Sequence, residues 1–536
     1  MTTDLSARIS PEIPEASAST TTAGRGKRPR PPFGVSAISL LAVLIALFSL
    51  IPLGYVAYMT AATGWDTAVA LIFRPRVGEL LLNTVMLVVF TVPICLVLGV
   101  GGAWLVERTK LRGHRWWAVA LAAPLAIPAF VNSYAWVTAV PSLEGIWSGV
   151  LIATLSYFPL VYIPAAATLG RLDPAIEQSA ASLGLGPWAV FFRVVLPQLR
   201  IAMTGGALLV SLHLLAEYGA FAMIRFDTFT TAIMTQFQST FNGTAGNMLA
   251  SVLVFFCLIL LLAEVRSRGT ARYARIGSGA QAKPTRLPLH HYQIPSQLAL
   301  LALTVLAFGL PVFFVLRWVV VGGARVWSAD EFLPALLQTL AYGTVGAAAT
   351  IVVGFPMAYL AVRHPSWFSK MLELSNYVTS SLPGIVVGLA FVTVSIRVVP
   401  GVYQTSGVLI AAYVLLFLPR ALVNIRSGLA QAPKELDEAA QSLGKAPLVS
   451  FLKVTLRLTA PAAAGGAALV FLAIVNELTA TLLLSPNGTH TLATEFWSKS
   501  SEIDYSGAAP YALLMILLSA PMTYLLFQQS KKVAGQ

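Results

Sequence analysis

Apolar stretches free of charge alternate with short polar segments along nearly the whole chain, and each stretch is continuously apolar rather than alternating in pairs. Runs of about 20 such residues match a helix crossing a bilayer. The first half predicts spans near 35–59, 80–105, 116–139, 146–169, 202–224 and 245–263. The second half predicts spans near 297–316, 335–361, 374–396, 405–425, 463–484 and 507–527. Ten-residue segments of alternating polarity, which would mark a membrane β-barrel, do not occur. The expected fold class is an all-α polytopic membrane protein with about 12 transmembrane helices.

Composition agrees: the 536 residues are 57% hydrophobic and 11% charged, against roughly 25% charged in a soluble domain. The excess of 35 Lys and Arg over 22 Asp and Glu would suggest nucleic acid in a soluble protein. In a polytopic chain it is read loop by loop, so the expected partner is the lipid bilayer and no nucleic acid. With the N-terminus in the cytoplasm, 28 basic residues fall on the cytoplasmic side and 7 on the other, so both termini are expected to be cytoplasmic. Cys95 and Cys257 stand in apolar runs and read as small hydrophobes. No His pairs with Cys or carboxylate at ligand spacing, so no stable metal site is expected, and His290-His291 reads as solvated loop.

Residues 1–34 are rich in Ser, Thr and Pro and end in a basic cluster from Arg25 to Arg30, which predicts a disordered cytoplasmic tail. A cleaved signal peptide would need a shorter apolar run than the one that follows. A first six-helix repeat is expected over 35–264, a basic cytoplasmic linker over 265–294, a second repeat over 295–530 and a short cytoplasmic end over 531–536. The linker carries Arg266, Arg268, Arg272, Arg275, Lys283 and Arg286.

The halves match each other at an offset of 255 early and 260 later. At 255, Leu82-Asn83-Thr84 falls on Leu337-Gln338-Thr339, Arg108 on Arg363, and Ile127-Pro128-Ala129 on Leu382-Pro383-Gly384. At 260, Pro159 falls on Pro419, Gly184 on Gly444, Pro187 on Pro447, and Glu217 on Glu477. Six is even, so the repeats run in the same direction and the implied pseudo-two-fold axis lies along the membrane normal.

Two long cytoplasmic loops, 171–201 and 426–462, occupy matching places. In the first, Asp173 can cap a short helix with Pro174 at its first position, Gly184 can end it, and Pro187 can start another. The second reads Pro433-Lys434-Glu435-Leu436-Asp437-Glu438-Ala439-Ala440-Gln441-Ser442-Leu443-Gly444, then Pro447. Glu438-Ala439-Ala440, a gap of three and Gly444 resemble the cytoplasmic signature of the permease subunits of binding-protein-dependent ABC importers of type I. The first copy has Gln178-Ser179-Ala180 in that place, with Glu177 one position early, but keeps Gly184 and Leu196-Pro197. The second has Arg457 where the final Pro is expected.

The resemblance covers roughly residues 75–530 and implies a coupling helix in each loop that docks on a cytoplasmic ABC ATPase, expected as a homodimer. It also implies an extracytoplasmic substrate-binding protein, and residence in a bacterial cytoplasmic (inner) membrane. The residues it assigns to coupling are Glu177, Gln178, Ser179, Ala180, Gly184, Pro197, Glu438, Ala439, Ala440 and Gly444. Gln178 in place of Glu predicts two unequal docking sites. The chain has no Gly-x-x-x-x-Gly-Lys-Ser/Thr, so it is expected to be a transport subunit rather than an enzyme. It is expected to bind no cofactor itself, leaving ATP and Mg to the partner ATPase.

Glu217 and Glu477 lie well inside predicted spans at matching places, roughly 20 Å from the cytoplasmic end. Buried charge of this kind faces a bundle interior or a wet path. Two readings stay open: carboxylates facing each other across a pathway, or acceptors that hold helices together through His213, Tyr218, Asn476 or Thr479. The fused double-length layout looks most like the ferric-iron permeases. Thiamine and 2-aminoethylphosphonate permeases share much of that layout. The rival classes are an ion-coupled secondary transporter, which needs no paired loop, and a membrane-embedded enzyme, which needs clustered Asp, His or Arg at the surface.

Overall fold

The computed structural model describes residues 33–238, 243–268 and 286–533. Residues 1–32 of the expected tail, most of the linker with Arg272, Arg275 and Lys283, and the last three residues lie outside them, while the tail's last two positions, 33 and 34, already belong to the helix Phe33–Ser49. Among the described residues the chain is nearly all helix, and the extended pairing seen is a single bridge between Thr109 and Leu287.

Among the described residues, eight helices are long and apolar enough to span a membrane on their own, and four bent helix pairs, each counted as one span, bring the number up to twelve. The single ones are Pro75–Arg108, Gly145–Leu169, Gly243–Ala263, His290–Trp327, Ala329–Arg363, Ser406–Gln431, Pro447–Val475 and Tyr505–Leu525. Exposed Val89, Val97 and Val352 show the apolar outer surface such helices need.

The third span of each half, predicted as one helix, is broken. His114–Ala126 meets Ala129–Ala139 at 92°, and Trp367–Ser380 meets Gly384–Arg397 at 102°. The breaks fall at Ile127-Pro128 and Leu382-Pro383. A proline pushes the preceding residue out of the helical region, and Ile127 is extended at φ −104°, ψ 116°. The fifth span bends by 67° between Pro187–Gln198 and Arg200–Ala216, next to Pro197. Its counterpart Pro447–Val475 carries Arg457 there and passes as one span. Proline removes a backbone donor and crowds the preceding turn, which accounts for the difference.

The halves are interleaved. Ala42, Ile45 and Ala46 of the first span belong to the core built mainly by the second half. Leu300 and Ala307 of the seventh belong to the core of the first. Polar bonds fasten the exchange: the Ser49 hydroxyl donates to Asn376 at 2.9 Å, and the Thr379 hydroxyl donates to the Ser49 carbonyl at 2.6 Å. Aromatic contacts cross the seam as well, with Phe130 and Tyr134 against Phe496 at 5.4 and 5.3 Å between ring centres.

Candidate functional site: paired loop helices and paired intramembrane acids

Both long loops fold into the helix-turn-helix that their sequences predict. The Asp173 carboxylate accepts from the Ala175 N–H at 2.9 Å, and the helix runs Pro174–Ser182. It ends on Gly184 at φ +89°, with the Leu185 N–H donating to the Ala180 carbonyl and the Gly184 N–H to that of Ala181. The second loop helix, Lys434–Ser442, ends on Gly444 at φ +81° with equivalent bonds from Lys445 to Ala440 and from Gly444 to Gln441. Pro187–Val190 and Pro447–Ser450 follow, each leading into a π-helical turn, Phe191–Val195 and Phe451–Thr455. The π turn persists with Arg457 in the place of Pro197, so the proline bends the helix but does not create the turn.

The two loop helices present the same register outward. Gln178 and Ser179 are exposed while Ala180 is buried; Glu438 and Ala439 are exposed while Ala440 is half-buried. Leu183 and Leu443, each just before the left-handed glycine, are 84% and 81% exposed. Trp188 and Leu448, also at matching positions, project beside them. These large apolar side chains stand clear of the loop surface at matching positions in both halves.

Glu177 points the other way. Its carboxylate lies 2.9 Å from the Arg108 guanidinium at the end of Pro75–Arg108, and Arg108 also donates to the Leu172 carbonyl at 3.2 Å. In the second half Arg363 stands 3.6 Å from Asp437, whose carboxylate also accepts from the hydroxyls of Thr455 at 2.5 Å and Ser450 at 3.1 Å. Burial pushes the Glu177 carboxyl above the usual carboxylate range, and Arg108 pulls it part of the way back. The sequence reading missed Asp437 and both arginine anchors. The signal was available: the two offsets pair Arg108 with Arg363 and Glu177 with Asp437. Gln178 therefore occupies the motif position, and Glu177 is an inward anchor.

The predicted fifth and eleventh spans both break at their acid. Arg200–Ala216 stops, Glu217 is extended at φ −73°, ψ 123°, and Gly219–Met223 restarts. Leu456–Val475 and Thr479–Leu484 flank Glu477 in the same way. Glu217 accepts from the Ala220 N–H at 2.9 Å and from the Tyr157 hydroxyl at 2.6 Å. Glu477 accepts from the Ala480 N–H at 3.0 Å. Their backbone carbonyls take the hydroxyls of Thr230 and Thr481, each at 2.6 Å. Of the four expected neighbours, Thr479 contributes through its backbone. His213 bonds the Leu209 carbonyl, Asn476 bonds Ser519, and Tyr218 packs on Trp497.

Both carboxylates are half-buried. The two breaks meet: a Cβ added at Gly219 would come within 2.9 Å of Leu478. Glu477 feels the charges of Glu217 and of Arg420. Among the described residues, no group of three or more His, Cys, Asp or Glu is gathered in a way that could hold a metal ion.

The described architecture is that of a polytopic membrane protein built as two six-span halves, and comparison with known proteins places it more closely. Residues 350–534 match the family described as binding-protein-dependent transport system inner membrane component. The Fe(3+)-transport system permease protein FbpB 2 of Haemophilus influenzae is 35% identical over 93% of this chain and 98% of its own length. The ferric transport system permease protein FbpB of Actinobacillus pleuropneumoniae is 22% identical over 69% of this chain and 57% of its own. The putative 2-aminoethylphosphonate transport system permease protein PhnV of Salmonella typhimurium is 28% identical over 37% of this chain and 74% of its own. The chain belongs to the family of binding-protein-dependent transport system inner membrane components.

Proposed function

We propose that this chain is the membrane path of an ATP-driven importer for ferric iron. The observation that carries the substrate is the match at 35% identity, along nearly the full length of both chains, to a relative whose name specifies Fe(3+) transport. Both termini lie in the cytoplasm, following the excess of basic residues on that side. The loop helices then face the cytoplasm and dock on an ATPase homodimer that binds ATP and Mg, while a substrate-binding protein delivers iron at the outer face. The two outward leucines and the exposed Glu438 support this docking surface. Transmission into the bundle runs through the buried Arg108 and Arg363, which tie each loop helix to the end of a long span. Glu217 and Glu477 line the path where the two breaks meet, offering hard oxygen ligands to a passing cation.

Uptake of radioactive ferric iron by cells lacking the chain, with and without its restored gene and with ATP depleted in parallel, tests the reading. ATP-dependent uptake that returns with the gene supports it. Unchanged iron uptake overturns the substrate assignment and directs the same assay to 2-aminoethylphosphonate. Gly444→Asp and Glu438→Lys should each abolish uptake with the chain still in the membrane, and normal uptake in both overturns the docking surface.

A further inference from the structure

A third charge stands with the two acids. Arg420 sits midway along Ser406–Gln431, a helix that runs six residues past the predicted end of the tenth span. The predicted span 405–425 ends five residues beyond it, whereas the helix carries eleven residues beyond it, which moves it toward the middle of the span. There it is exposed rather than packed away. Tyr413, Phe417 and Arg420 form one stripe of the helix, spaced four and three residues apart. Tyr413 meets the Thr481 hydroxyl at 2.7 Å, and that hydroxyl holds the Glu477 carbonyl. The Arg420 guanidinium lies over the Phe417 ring, 5.3 Å from its centre. Its charge acts on Glu477 and also on His213, which belongs to the other half. The stripe thus turns toward the seam between the halves, where a guanidinium at this depth avoids lipid.

The repeat shows what is particular here. At the offset of 260, Tyr157 falls on Phe417 and Leu160 on Arg420. The first half satisfies its acid with the Tyr157 hydroxyl. The second has no hydroxyl at that position, leaves the acid with backbone donors, and adds a guanidinium instead.

We propose that Arg420 is a tethered counter-cation that sets the charge of the path, and so acts as a specificity-determining residue for a polyvalent metal cation. The inference rests on the pathway reading of Glu217 and Glu477. With both acids ionised, the guanidinium leaves one net negative charge rather than two. A path with two would hold a trivalent ion too firmly to release it; a path with none would not admit it. Transport needs binding strong enough to enter and weak enough to leave.

The test is a charge-compensation series read by uptake of radioactive ferric iron, with membrane levels checked by immunoblot. Arg420→Leu, the residue of the matching position, and Glu477→Gln are each expected to lower uptake by about tenfold. The double variant restores one net negative charge and should recover at least half of the parent rate. Arg420→Lys keeps the charge and should transport. Recovery in the double variant supports the proposal where both single variants reach the membrane at the parent level, because a merely structural ion pair broken on one side would lower that level as well. A double variant no better than the worse single, or Arg420→Lys as impaired as Arg420→Leu, overturns it while leaving the pathway standing. If Glu217→Gln with Glu477→Gln transports at the parent rate, the pathway reading itself falls, and this inference with it.

Discussion

Replacing Arg108 by Met removes the buried anchor of the first loop helix while keeping an unbranched side chain of similar length. Arg108 is 2% exposed and Glu177 21%, so the pair is nearly dry on the arginine side and partly wet on the carboxylate side. Removing one partner of a buried ion pair costs about 3–5 kcal/mol, because the other charge is left uncompensated. Glu177 keeps some access to water, which places the expected cost near the lower end, about 3 kcal/mol. At 1.36 kcal/mol per decade this shifts the seating of the loop helix by about a hundredfold.

The assay is chemical. Both native cysteines are buried, so a cysteine placed in the loop reports alone. Ala180 faces inward and is buried, and Ala180→Cys should react with a maleimide slowly, at the rate with which the helix lifts. Adding Arg108→Met should speed that reaction by about a hundredfold, toward the rate of Ser179→Cys on the exposed face. Adding Glu177→Leu as well should slow it again, since an apolar pair in place of a buried ion pair is often neutral. In the second half, Asp437 keeps its bonds to Ser450 and Thr455 when Arg363 becomes Met, so Ala440→Cys should gain much less. A labelling rate within twofold of the parent in Arg108→Met would refute the anchoring role.

Two further outcomes follow from named contacts. A Cβ on Gly99 would lie 2.7 Å from Val161 Cβ and 2.9 Å from the Tyr162 backbone nitrogen, whereas one on its repeat partner Gly354 meets the flexible Leu418 tip at 3.2 Å. Gly99→Ala should therefore lower thermal stability in detergent by about 1–3 kcal/mol, with Gly354→Ala near neutral; equal effects would contradict the packing. Glu177 protonates at a higher pH than an ordinary carboxylate, so its ionised form burdens the fold above that raised value and the burden disappears once pH falls below the unfolded value. Without Arg108 the rise is larger, and Arg108→Met should regain melting temperature more steeply than the parent as pH drops from 8 to about 5. A flat difference between the two across that window would count against it.

The chain's spans, the duplication and the loop helices were legible because each writes itself in local chemistry: apolar runs, Pro and Gly at helix ends, Asp173 as a cap. The breaks at Pro128 and Pro383 were less so. Apolar residues flank both sides, and hydropathy cannot separate one span from two half-spans meeting at about a right angle. Glu217 and Glu477 read as charges inside helices, but each carboxylate bonds a backbone N–H three residues on and takes over as the end of one helix and the cap of the next. The helices Phe229–Gln238 and Leu492–Ser501 lack the long apolar run that marks a span and are held by hydroxyls: Thr491 and Thr494 form a reciprocal cap on the second. Arg108 looked like one more positive-inside residue, and its burial depends on Glu177, about seventy positions away.

Duplication preserved the scaffold and released the chemistry placed on it. The left-handed glycines, the π turns, the arginine anchors and the acids at the breaks all recur at the repeat offsets. The groups that serve them differ. Glu177 reaches its arginine directly, while the shorter Asp437 stands farther off and is held by two hydroxyls where the first half has Val190 and Val195. Tyr157 bonds Glu217, and the second half answers with Phe417 and Arg420. Two identical halves would carry paired like charges at their breaks and nothing to balance them. Leu160/Arg420 adds a charge and Tyr157/Phe417 removes a hydroxyl partner, and neither difference touches the helices that carry the acids, so the surroundings of each acid changed while the packing stayed fixed.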